Sequence, residues 1–225
     1  EIRQTANAFN QMRTRIKRFL KQRTEMLAGV SHDLRTPLTR MKLQISLMKD
    51  EKAKSELEAN VNEMTSMLDS YVSFVRTESP EPIETILVNE LIGEIVKTVE
   101  KNNVDIVLNE KDTIQTSGRQ IQLKRAFNNI IDNSQRYAKK IEINLYISER
   151  DCVIEFNDDG EGIPKNKYED VFKPFFTLDP SRNKLKGESG LGLTITRDII
   201  RSHGGDVKLL HSYLGGLQLK VLLPL

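Results

Sequence analysis

Apolar residues return every three, four or seven positions between Ile2 and Met48, and that spacing constrains the fold more than any other feature of the chain. Ile2, Ala6, Phe9, Ile16, Leu20, Leu27, Val30, Leu34, Leu38, Met41, Ile45 and Met48 keep to a narrow stripe on a helix, which predicts one long helical element. After the polar stretch "KDEKAKSE", the same spacing resumes at Leu57, Val61, Met64, Leu68, Tyr71 and Val75. A second helix is therefore predicted to return along the first as an antiparallel hairpin. Two helices cannot close a core around such stripes. The expected solution is a homodimer in which two hairpins form a four-helix bundle.

The pattern changes at "RTESPEPIET", where Pro80 and Pro82 stand among Glu78, Glu81 and Glu84. Proline neither continues a helix nor donates to a sheet, so a linker is predicted over 80–84. Beyond it, "DIVLNE", "KIEINLYI", "CVIEFND", "DVKLLHS" and "LQLKVLLPL" read as strands, and residues 89–101, 118–137 and 190–203 as helices. The expected fold is α plus α/β: a helical hairpin over 23–79, then an α/β sandwich over 85–225, one sheet with helices on one face.

The 225 residues, 38% apolar and 29% charged, suit two modest soluble domains. No apolar run approaches the roughly 18 residues of a membrane span. The chain starts at Glu1 with neither methionine nor a signal-like segment, which predicts a piece of something longer. A net charge of +2 gives no reason to invoke nucleic acid. The one basic run, "RTRIKRFLKQR" at 13–23, reads as a solvated helix face or as a segment near an anionic membrane surface. Cys152, the single cysteine, excludes a disulfide framework and a Cys-rich zinc site, favours a reducing compartment and reads as a buried strand thiol.

Three segments of the second half carry chemistry, and neither a Walker A pattern nor a dinucleotide glycine triad is among them. In "NNIIDNSQRY", Asn129 and Asn133 share a helix face with Arg136 and Tyr137 nearby. Amide oxygens suit a magnesium ion that keeps water and phosphate ligands, and an arginine offsets phosphate charge. In "NDDGEGIP", Asp158 at a strand end offers an acceptor for an exocyclic amine, while Gly160 and Gly162 let backbone approach a flat ring; an ordinary Asp-Gly turn fits the same letters. In "KGESGLGLTITRDII", Gly187, Gly190 and Gly192 precede or open a helix whose free N–H groups favour phosphate. Between the last two segments, "NKYEDVFKPFFTLDPSRNKLK" is long, polar and lid-like around an aromatic knot.

Taken in order, these segments resemble the boxes of the ATP-binding domain of sensor histidine kinases, which shares the fold of the gyrase, Hsp90 and MutL ATPases. The resemblance implies that Asn129 and Asn133 form the N box, with Asn133 the magnesium ligand, and that Asp158 reads the adenine amino group. It further implies that Phe172 and Phe175 anchor a lid, that Gly187, Gly190 and Gly192 flank the phosphates, and that Arg182 and Lys184 are lid cations. "SHDLRTPLT" resembles the H box of the same family, and residues 1–22 resemble the end of a HAMP linker. The implied protein is the cytoplasmic portion of a bacterial inner-membrane receptor. Its implied partners are a second copy, an OmpR-like response-regulator receiver, and upstream HAMP and transmembrane segments absent from this fragment.

His32 lies about 200° round from Val30 at 3.6 residues per turn, so it is expected to point away from the apolar stripe. A neutral imidazole, with a pKa of about 6.5, is nucleophilic at neutral pH. If Asp33 accepts the Nδ1 proton, Nε2 is left free for attack. Thr36 shares the face of His32; with Asp33 it implies, by the family pattern, a phosphatase activity toward the regulator. Arg35 fits either a phosphate contact or a solvated charge. Pro37 removes the N–H that would reach the Asp33 carbonyl, which predicts a kink beneath the histidine. Glu161 and Glu188 stand where the family often has proline and threonine, and Ser134 where it often has alanine, a change read as minor. Two other readings remain: a gyrase- or Hsp90-type ATPase with Asp132 activating water, and a coiled-coil scaffold with a vestigial nucleotide domain.

Overall fold

The computed structural model describes residues 2–75, 81–99, 104–178 and 190–225, which form an N-terminal helical unit and a C-terminal α/β unit. In the helical unit, α1 (Ile2–Ser46) runs through Pro37 without ending. The missing rung of the hydrogen-bond ladder is thus absorbed within one continuous helix. The second helix, α2 (Glu51–Val75), begins well inside the stretch expected to be a polar break. The turn is only Leu47–Asp50: the Asp50 carboxylate accepts the N–H groups of Lys52 and Ala53, both at 3.1 Å, and so caps α2. Residues 51–56 are polar but rich in Glu, Lys and Ala, which are strong helix formers, so their polarity marks an exposed first turn rather than a gap.

The apolar stripe divides in two. Ser31, Leu38 and Ile45, seven residues apart, are buried, and Leu38 and Ile45 meet Val61 of α2 with Met48 and Leu68 alongside. Phe9, Met12, Ile16, Phe19, Met26, Val30, Leu34 and Met41 stay exposed within this one chain. Val30, Leu34 and Met41 lie about 40–80° round the helix from Leu38. One face therefore closes the hairpin, and its neighbour remains uncovered.

The α/β unit opens with β1 (Glu84–Leu87) and α3 (Val88–Val99), followed by β2 (Asp105–Glu110), β3 (Gln115–Gly118), α4 (Gln120–Tyr137), β4 (Lys140–Ser148) and β5 (Asp151–Asp158). It ends with α5 (Gly192–Ser202), β6 (Asp206–His211) and β7 (Leu217–Pro224). Five strands form one sheet in the order β2-β4-β5-β7-β6, with β2 parallel to β4 and the other pairs antiparallel. The remaining pair, β1 and β3, makes a small separate ribbon. Neither of these short strands was expected, and Glu84 of the expected linker belongs to β1.

Alternation along β4 puts Ile141, Ile143 and Leu145 on one face, in register with Asp158, Phe156 and Ile154 of β5. This face packs under the amphipathic helices, with Leu123, Phe127, Ile130 and Ile131 of α4 and Ile195 and Ile199 of α5 buried. Phe127 and Phe156 lie 6.2 Å apart between ring centroids; truncating either to alanine would cost about 3–5 kcal/mol. The other face is polar, as in the Lys220, Glu155 and Tyr146 cluster with contacts of 2.8–3.2 Å. The one-faced sandwich expected from the strand pattern is the one observed.

Candidate functional site

The end of β5 places two adjacent carboxylates in opposite surroundings. Asp159 is exposed, and its Oδ1 accepts the N–H groups of Lys139 and Lys140 at 2.8 and 2.9 Å. The Lys140 N–H above all holds its carboxyl below the usual range. Asp158 follows the parity of Phe156, faces the helices and is 5% exposed. Its Oδ1 accepts N–H groups from Leu217 at 2.9 Å and Gly160 at 3.1 Å, and its Oδ2 accepts the Ser134 hydroxyl at 3.3 Å. Burial pushes its carboxyl up, against the opposing effect of those three donors. A carboxylate has about four acceptor sites. Among the described residues, these three donors occupy three of them.

The turn that supplies the Leu217 donor exists because position 216 is glycine. A Cβ there would lie 2.2 Å from Asp158 Oδ1, 2.5 Å from the Gly160 nitrogen and 2.7 Å from the Asp158 carbonyl oxygen. Gly160 itself sits against the backbone of Tyr137, and Gly162 against Gly216. The expected Asp158, Gly160 and Gly162 group is therefore one assembly with the end of α4 and the β6–β7 turn.

Helical spacing carries Asn129 and Asn133 on one side of α4, with Arg136 and Tyr137 in its last turn. Asn129 Nδ2 donates to the Gly192 carbonyl at 3.3 Å, joining α4 to the start of α5. Thr196 reinforces that joint, its hydroxyl lying 2.9 Å from the Gly192 carbonyl and 3.3 Å from that of Ala126. Asn133 is half-buried. Burial pushes the Asp132 carboxyl up while Arg136 opposes it.

The aromatic knot is tied to α5. Phe172 is buried, its carbonyl accepts the Thr194 hydroxyl at 2.9 Å, and the Arg197 guanidinium stacks 4.4 Å from its ring centre while pairing with Glu169 at 2.8 Å. The ring of Phe175 is exposed, and this residue engages Gly190 through its backbone, N–H to carbonyl at 3.0 Å. Phe175 takes a left-handed φ of 62° and Gly190 one of 64°, and a Cβ on Gly190 would lie 2.8 Å from the Phe175 carbonyl carbon. Arg182, Lys184, Gly187 and Glu188 lie outside the described residues.

On α1, Ser31 is buried in the hairpin seam, while Asp33, Arg35 and Thr36 are exposed on the helix that also carries His32. The His32 side chain lies outside the described residues, as does its expected direction away from the stripe. Thr39 donates its hydroxyl to the Arg35 carbonyl at 2.9 Å, bridging the turn that contains the proline.

Ser134, Gly216, Leu217, Thr194 and Arg197 join this arrangement without having been anticipated. Ser134 had been read as a minor change, yet it supplies one of the three donors to Asp158. The doubled glycine in "SYLGGLQ" was the legible signal for Gly216. Thr194 and Arg197 gave none, because only the fold brings them to Phe172.

The chain is also similar to known proteins. Residues 22–79 match the family described as the His Kinase A (phospho-acceptor) domain, and residues 118–225 the Histidine kinase-, DNA gyrase B-, and HSP90-like ATPase. Sensor histidine kinase GtrS of Pseudomonas aeruginosa is 32% identical over all of this chain and 46% of its own length. Sensor histidine kinase CpxA of Escherichia coli is 32% identical over 97% of the chain and 50% of its own length. The chain thus spans about half the length of the curated relatives it matches. Among solved structures, a mycobacterial sensor histidine kinase MprB aligns with a TM-score of 0.56 at 24% identity, over 64% of this chain and 97% of that one. Full-length ShkA in complex with AMPPNP aligns at 0.68 and 16% identity, over 89% of this chain and 45% of that one. At these identities the structural likeness establishes the fold.

Proposed function

Since this chain belongs to the sensor histidine kinases of two-component signalling, we propose that it transfers the γ-phosphoryl group of ATP to His32 and from there to an aspartate of a response-regulator receiver. The observation that carries the reading is Asp158, a carboxylate 5% exposed with three of its acceptor sites already committed. A site of this kind accepts one further donor in a fixed direction, which suits the exocyclic amine of adenine. Burial also makes an amine that fails to reach it costly, so recognition is selective.

The other residues have complementary tasks. Gly160 and Gly162 bring backbone against the adenine ring, and the opening turn of α5 at Gly192, with Gly190 before it, offers N–H groups to phosphate. Arg136 and Tyr137 serve the same charged tail from the end of α4. Asn133 would hold magnesium through its amide oxygen; the ion, when bound, supplies charge neutralisation of the triphosphate. A single neutral amide oxygen from Asn133 fits an ion that fills its remaining positions with water and phosphate ligands.

At the other end of the reaction Asp33 accepts the Nδ1 proton of His32 and orients the ring. Nε2 forms its bond to the γ-phosphorus as the bond to the bridging oxygen breaks and ADP leaves. Thr36 positions water for the reverse task, removal of the phosphoryl group from the receiver aspartate. The uncovered face from Phe9 to Met41 is closed by a second copy, giving the four-helix bundle, and residues 1–22 continue a HAMP signal from an inner-membrane sensor.

This reading explains both units at once, whereas a gyrase-type ATPase leaves the hairpin without a task and a scaffold leaves the Asp158 assembly without one. Incubation with γ-labelled ATP and magnesium tests it: label on the wild type and none on His32→Ala is expected. Equal labelling of both would overturn it.

A further inference from the structure

The start of α4 lacks a cap of its own. Arg119 at its N-cap position makes no side-chain capping bond, and its first turn holds no acidic residue. Helix N-termini need acceptors for their free N–H groups and favour negative charge. Here both come from far away in sequence. The Glu81 carboxylate accepts the N–H of Ile121 at 2.5 Å and that of Gln122 at 3.3 Å. The Arg119 N–H is taken by Nε2 of His203 at 3.0 Å, just past the end of α5.

Glu81 belongs to the stretch that joins the hairpin to the α/β unit, and Pro82 and Glu84 follow it along the same groove. That groove, of about 650 Å³, is completed by α4 from Gln120 to Asn129. The segment was expected to be a plain linker. It is instead fastened to the first turn of the helix that carries Asn129 and Asn133, and the opposite end of α5 is fastened there as well.

We propose that Glu81 is a positioning residue for phosphoryl transfer, a tether through which the chain arriving from the phosphoacceptor hairpin sets the placement of the Asn129 and Asn133 helix. The inference rests on the kinase reading above and adds a residue to it. A rigid helix gripped at its first turn transmits a displacement of the linker along its axis, whereas an uncapped end frays and absorbs it. Glu81 touches no reacting atom in this account; it acts through α4.

The test compares wild type, Glu81→Ala and Glu81→Gln in the full dimeric chain. Loss of a cap of this strength predicts His32 labelling about fivefold slower in Glu81→Ala and partly restored in Glu81→Gln, which keeps an acceptor oxygen, with affinity for a fluorescent ATP analogue within about twofold throughout. Labelling that does not change, or that falls in step with nucleotide affinity as a simple cap would dictate, overturns the proposal. Faster amide exchange at Ile121 and Gln122 in Glu81→Ala is expected whether or not the chain labels. Unaltered exchange refutes the tether itself, while an unlabelled wild type contradicts only the kinase reading.

Discussion

Replacing Gly216 with alanine perturbs a single methyl group at the point where the Asp158 assembly is tightest. The added Cβ would sit 2.2 Å from Asp158 Oδ1 and 2.5 Å from the Gly160 nitrogen, against an ordinary separation of about 3.5 Å. Something must move by about 1 Å, and two of the three nearest atoms are backbone. Opening the turn strains or breaks three bonds: Gly216 N–H to the Asp158 carbonyl at 3.1 Å, Leu217 N–H to Asp158 Oδ1 at 2.9 Å, and Ser212 N–H to the Gly216 carbonyl at 3.0 Å. At about 1 kcal/mol each, plus about 1–2 kcal/mol for a buried carboxylate stripped of donors, the cost comes to about 4–5 kcal/mol. For a unit of this size that lowers Tm by about 15 °C. Calorimetry of the full chain measures the melt, and titration with ATP measures the binding, which is expected to vanish with the Asp158 geometry. Gly215→Ala is the control: its φ of 107° is strained for alanine, but nothing lies within 4 Å of the new Cβ, so the loss is limited to about 1–2 kcal/mol. A Gly216→Ala chain that melts within about 2 °C of wild type and still binds ATP would refute the assignment of that turn to the site.

Asp158→Asn keeps the shape and removes the charge. Because burial raises this carboxyl in the fold, the unfolded chain ionises first as pH rises, and wild type loses stability across the interval between the ordinary carboxylate pKa and the raised one. The variant lacks that loss, so its Tm relative to wild type is expected to rise from pH 4 to pH 7 while ATP binding disappears; a difference that stays flat with pH contradicts the burial argument. Cys152 is buried and its thiol is pushed up to about 12 by burial first and Asp151 second, so alkylation at pH 8 is expected only after unfolding, and rapid modification of the native chain refutes that. Asn133→Asp brings a negative charge toward the triphosphate and is expected to reduce labelling at least about tenfold with the dimer intact by sedimentation; unchanged labelling rejects Asn133 as the magnesium ligand.

Long elements with one buried face were readable from the letters. The hairpin helices and the three helices over the sheet showed a period of 3.6, β4 and β7 a period of 2, and β2, β5 and β6 short apolar runs. The short ribbon was not. "ETIL" and "QTSG" are four residues each, and β3 has no apolar alternation; it is held by pairing with β1 and by the Thr116 hydroxyl on the Pro224 carbonyl at 2.7 Å. Residues 49–56 misled because polarity was taken for a break, when the helix formers behind Asp50 dictated a capped start. The candidate site shows the same division. Asn129, Asn133, Asp158 and the glycines were legible as motif letters, but Ser134 acts from inside α4, Gly216 and Leu217 from a turn and Glu81 as a cap, with partners 24 to 59 residues away. No local pattern encodes such partners; only the closed sheet assembles them.

The bond formed when this chain meets γ-labelled ATP identifies the phosphorylated residue by its chemistry. A phosphoryl group on an imidazole nitrogen is labile in acid and stable in alkali, whereas a phosphoserine or phosphothreonine ester survives acid. The measurement is the survival of label after parallel acid and alkaline treatment, with His32→Ala alongside. Label lost in acid, kept in alkali and absent from His32→Ala is the predicted result; acid-stable label, or label that His32→Ala retains, contradicts the account.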